Sequence, residues 1–160
     1  MDHAVTRDDQ GRGSVSIEVA VLAPAFIALI VLAGVTGRSA VAAEAIEAAA
    51  HDAARAASIS RDAGTAREEA RKAARQQLKW EDMTCVDGPT FTFSGSVAGR
   101  PTSFGAAFHS RAGREATVTV EVSCTLSYAD LHLSVLPGMP SGNAVSASFT
   151  SPLDRYRSRG

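Results

Sequence analysis

Hydrophobic and polar positions change their spacing twice along this chain. From Val19 to Gly37 (VAVLAPAFIALIVLAGVTG) no charged side chain falls between Glu18 and Arg38. At about 1.5 Å of helical rise per residue that run approaches the ~30 Å hydrocarbon thickness of a bilayer. Val15 and Ile17 extend the apolar character upstream, so residues 14–37 are expected to form one membrane-spanning helix behind a polar leader, residues 1–13. Pro24 removes one backbone donor, which lipid-embedded helices tolerate where the freed carbonyl is satisfied locally. Ala33 and Gly37 are small residues one turn apart, a pattern that admits close approach of another helix but is ordinary in an Ala-rich chain.

Residues 38–80 then take on a helical period. Ile46, Ala49, Ala50, Ala53, Ala54 and Ala57 share one side while Glu44, Glu47, Asp52 and Arg55 take the other, the pattern of an amphipathic helix with a face of small residues. A break is expected near 58–64, with Gly64 as the stop and Thr65 to Glu68 as a capping box opening a second helix to about Trp80. That helix would bury Ala66, Ala70, Ala73, Ala74 and Leu78 and present Arg67, Arg71, Arg75 and Lys79 as a solvated basic face, partly offset by pairing of Glu68 and of Glu69 with Lys72.

From Met83 the period becomes two. Val118, Val120, Val122, Cys124 and Leu126 alternate strictly with Thr117, Thr119, Glu121, Ser123 and Thr125; Phe91 and Phe93, and Val145, Ala147 and Phe149, alternate in the same way. Three such segments predict an antiparallel sheet over 83–152 with one apolar face, which the Ala-rich helices would cover. Leu131 to Pro140 is too apolar for a free loop and is expected to fold against the sheet, and residues 153–160 read as a solvated basic tail. The predicted fold class is α+β: an N-terminal transmembrane helix running on into an Ala-rich helical region, then a small antiparallel sheet domain.

Composition narrows the function. With 16 basic and 17 acidic side chains in 160 residues there is no global attraction to nucleic acid. Few aromatics and abundant Ala leave room for one modest soluble core. The charge pattern argues against a cleaved secretory signal, since the leader mixes Asp2, Asp8 and Asp9 with Arg7 and Arg12, although AVA at Ala40 to Ala42 imitates a cleavage site. Arg7 and Arg12 before the span against Arg38 after it mildly favour the N-terminus inside the cytoplasmic membrane and the C-terminal part outside. In that oxidising compartment Cys85 and Cys124 can pair, closing a loop of about 40 residues; in a reducing one they would remain buried thiols. No catalytic or cofactor motif is present, His3, His51, His109 and His132 are scattered, and the i, i+2 pair Asp130 and His132 near Tyr128 is a poor dyad. The chain is therefore expected to be neither an enzyme nor a metal, cofactor or small-molecule binder.

Glu18 is the exception to an otherwise plain anchor: a carboxylate at the edge of a membrane helix carries a desolvation cost that favours a partner, unless it sits at headgroup level in the first turn, where the helix dipole favours an acid. It stands five residues beyond Gly13. RGSVSIEVAVLAPAFIALIVLAGVTGRSAVAAEAIEAAAHDAARAAS resembles the start of the TadE-like and TadG-like proteins, pseudopilins of the tight-adherence (Flp) pilus system. The resemblance lies in the Arg-Gly before the span, Glu18 near its start, Pro24 within it, Gly37-Arg38 at its exit and the Ala-rich segment that follows, about the first third of the chain. It implies a pilin-like fold, cutting between Gly13 and Ser14 by a prepilin peptidase, pairing of Glu18 with a neighbour's freed amino terminus, and other pilus-system subunits as partners. A membrane-tethered envelope binding module outside any pilus, or a secreted one, is the competing expectation.

Overall fold

In the computed structural model, which describes residues 10–127 and 142–156, the helix-forming half of the sequence becomes α1 (Gln10–Ile59) and α2 (Ala63–Trp80). The chain divides into two compact units, residues 1–38 and 39–160. In the first, α1 begins at Gln10 rather than after the leader and passes through Pro24. Val21, Leu22, Phe26, Ile27, Leu29, Ile30 and Leu32 are all exposed. From Glu18 onward α1 is long and apolar enough to cross a membrane, and its most apolar stretch has no burial within the protein. Its length and all-round apolar surface are those of a helix that could span a bilayer.

The second unit is a four-stranded antiparallel sheet with helices on one face. Its strands are β1 (Thr90–Val97), β2 (Arg100–Ser103), β3 (Ala116–Ser127) and β4 (Gly142–Pro152), in the order β2-β1-β3-β4, with the short α3 (Phe104–Phe108) following β2. The α+β class and the antiparallel sheet are as expected from the alternation. Val118, Val120, Val122 and Cys124 of β3 are buried, as are Ile46, Ala49, Ala50, Ala53, Ala54 and Ala57 of α1 and Ala66, Ala70, Ala74 and Leu78 of α2. All belong to one hydrophobic cluster. Alanine suits this layer because a side chain of one carbon lets the helix backbones settle close to the pleated valines, at the dense packing interiors require.

Several local expectations are corrected. Helix α2 starts at Ala63, and its cap is Asp62, whose Oδ1 accepts from the Gly64 and Thr65 amides at 3.0 and 2.9 Å. Aspartate at this position satisfies two of the orphan donors of the first turn, so Gly64 lies inside the helix and Thr65 is not the cap. The segment around Met83 and Cys85 is a loop with one ladder-like bond, Val86 N–H to Thr125 O at 2.8 Å. A fourth strand, β2, pairs with β1 through a two-residue turn at Ala98 and Gly99, both at positive φ. Such hairpin turns are ordinarily marked by Asn-Gly or Asp-Gly, so Ala-Gly hides the signal. Ser103 Oγ then caps α3 by accepting from the Ala106 amide at 3.2 Å. Helix α3 presses so closely on β1 that a Cβ at Gly95 would stand 2.7 Å from that of Ala107.

The C-terminal residues are not a free tail as far as Tyr156. Leu153 is buried and donates to Ala116 O, Gly113 donates to Arg155 O, and the Arg155 guanidinium lies 3.7 Å from Glu115. The Leu131 to Pro140 expectation and the last four residues lie outside the described residues.

Candidate functional site

Glu18 is the one acidic side chain on the described part of α1 before Glu44, and it is exposed. Twenty residues separate it from Arg38, a helical rise of about 30 Å, so the two charges bracket a hydrocarbon-length run. Gly13 and Ser14 fall in the same helix, with Ser14 one turn before Glu18. Within the span the Thr36 hydroxyl donates to the Leu32 and Ala33 carbonyls, at 2.9 and 3.1 Å, and so is satisfied by its own helix. Glu18 stands as an exposed carboxylate at the start of the apolar run, and in a low-dielectric setting an ammonium group is the natural complement to a carboxylate. Around Gly37 nothing approaches within 4 Å of where a Cβ would sit, so its surface is open to a second helix.

The sulfurs of Cys85 and Cys124 are bonded, with Cα atoms 5.2 Å apart and a sequence separation of 39. The bond ties the loop after α2 to the C-terminal half of β3.

The basic stripe of α2 is only in part a solvated face: Arg75 and Lys79 are exposed, whereas Arg67 and Arg71 are half-buried. Arg67, Arg71 and Arg75 lay their guanidinium groups over the rings of Phe104, Phe93 and Phe91, at 5.0, 5.3 and 5.8 Å from the centroids. The spacing of four residues on the helix matches successive apolar positions on β1 and α3, giving a ladder of cation–π contacts. Sequence spacing shows the stripe; what lies opposite it is a tertiary fact.

His51 sits with its ring 4.5 Å from that of Phe149 and its Nδ1 3.2 Å from Asp52. Among the described residues no three His, Cys, Asp or Glu side chains converge as a metal site would require. A surface groove of about 370 Å³ between the ends of α1 and α2 has Asp52 and Arg55 as its ionisable groups and the exposed Ile59 and Trp80 on its walls. It holds no nucleophile beside a base. Asp130, His132 and Tyr128 lie outside the described residues.

No curated protein and no solved structure matches this chain. Residues 13–55 match a family model, and that stretch holds Gly13, Glu18, the whole apolar run and most of the buried alanine face of α1. The model is that of the TadE-like proteins, and over those residues the chain is similar to that family.

Proposed function

We propose that this chain is a membrane-anchored, TadE-like minor pilin or pseudopilin that acts in assembly of a tight-adherence pilus or a related envelope secretion system. The observation that carries the reading is the TadE-like match over 13–55 together with the exposed carboxylate of Glu18 at the start of an unburied apolar helix. The subunit sits once through the cytoplasmic membrane, N-terminus inside, with the sheet unit outside, where the Cys85–Cys124 bond is stable. A prepilin peptidase cuts between Gly13 and Ser14, and the new ammonium group of one subunit pairs with Glu18 of the next. Its work is contact with lipid and with other pilus-system subunits; it is not an enzyme, and it takes no nucleic acid, cofactor or small-molecule substrate.

Mass spectrometry of the protein from its native host tests this. A mature chain starting at Ser14 is expected, and Gly13→Leu should leave Met1 in place. An uncut wild-type chain in cells with an active prepilin peptidase would overturn the processing step and favour a tethered binding module. A start near Ala43 would mark a secreted domain instead.

A further inference from the structure

The two edges of the sheet are built differently. The β2 edge is four residues long and carries Pro101 and Arg100, features that discourage pairing with another strand. At the other edge β4 runs for eleven residues, GNAVSASFTSP, without a charged side chain and without proline before Pro152. Among the described residues nothing pairs with its outer side. The Leu153 amide donates to Ala116 O at 2.9 Å and Thr117 stands opposite Pro152, which makes that a non-hydrogen-bonded pair. By the alternation of an antiparallel ladder, Ala144, Ser146, Ser148 and Thr150 then turn their backbone groups away from β3.

Side chains at this edge are also incomplete. Val118, Val120 and Val122 of β3 are fully buried, whereas their neighbours Val145 and Ala147 are half-buried and Phe149 is 38% exposed. On the opposite face the Thr119 and Thr150 hydroxyls bond at 2.7 Å. A further strand would continue both layers if its residues alternated between β-branched apolar and hydroxyl side chains, as β3 itself does against the inner edge of β4.

We propose that β4 is a strand-addition site for an extended, uncharged segment of a partner protein, with alternating Val- or Ile-like and Thr- or Ser-like residues. Backbone groups of Ser146, Ser148 and Thr150 hold it, and its apolar residues cover Val145, Ala147 and Phe149. A second copy of this chain pairing through β4 is the alternative occupant, which the test separates. The inference stands apart from the pilus reading and survives its failure.

The test uses the full chain in detergent micelles with the peptide acetyl-Thr-Val-Thr-Val-Thr-Val-Thr-amide as probe, read by backbone amide exchange. The peptide is expected to slow exchange at Ser146, Ser148 and Thr150 at least tenfold, and Ser148→Pro, which removes an outward amide and no bond to β3, to weaken binding at least tenfold with the disulfide intact. Should that variant misfold, the same peptide N-methylated at alternate residues replaces it and must not bind the wild type. The proposal is overturned if the peptide leaves exchange unchanged, if those amides are already protected in the monomer, or if they become protected on self-association without peptide.

Discussion

Asp62 opens α2 with one carboxylate oxygen against the amides of Gly64 and Thr65. These hydrogen bonds, Thr65 first, hold its carboxyl below the usual carboxylate range, because backbone donors favour the charged form at a helix N-terminus. A folded-state pKa below the unfolded one means that the stabilisation is fully present above the unfolded value and is lost as pH falls through the folded value. Asp62→Asn keeps an accepting oxygen and removes the charge. Its unfolding midpoint should lie below wild type at neutral pH, with the gap closing in acid below the ordinary carboxylate range, and Asp62→Ala should lie lower than both at neutral pH. Thermal unfolding across pH, followed by helix circular dichroism on the full chain, checks this. A gap that widens in acid would show that the charged cap is not the source.

At the scale of elements, the disulfide joins the loop after α2 to β3, so its loss should loosen two elements together. Closing a loop of 39 residues restricts the unfolded chain by about 4 kcal/mol in the chain-entropy model. The Cys85→Ser, Cys124→Ser double variant should melt roughly 10–20 °C below wild type, and reduction of wild type should reproduce the shift. A loss under about 2 °C would mean that the helices alone hold the sheet. The elements legible in the sequence were those whose pattern is long. The alternation of β3 and the alanine face of α1 each specify burial over many residues, and both fall where the pattern puts them. Hairpin β1–β2 escaped because β2 is four residues and its turn is Ala-Gly. The cap escaped because Gly64 reads as punctuation when seen alone, yet sits comfortably at the second helical position once Asp62 takes its amide. The arginine ladder was half visible: its period is local, while the phenylalanines beneath it come from β1 and α3.

For the whole molecule, the two units make opposite demands on their surroundings. Residues 39–160 bury their own apolar face, and residues 1–38 leave theirs bare. On the proposed reading lipid meets the second demand, and the thiols of residues 39–160 end up on the far side if α1 carries the C-terminal part across. Ile27 and Ile30 are exposed near the midpoint between Glu18 and Arg38, where an arginine costs roughly 3 kcal/mol on insertion scales while isoleucine is favourable by about half a kcal/mol. Ile27→Arg with Ile30→Arg therefore removes about 6–7 kcal/mol of insertion free energy, enough to abolish spanning. Wild-type protein in its native host should stay in the membrane pellet after alkaline carbonate, with Cys85 and Cys124 unreactive to alkylation until reduced. The double variant should leave the pellet with both thiols reactive, because its sheet unit remains on the reducing side. If the variant is released yet still forms the disulfide, export does not depend on α1. If wild type itself is released with reactive thiols, α1 is not a membrane anchor, and the lipid-facing role of Glu18 falls with it.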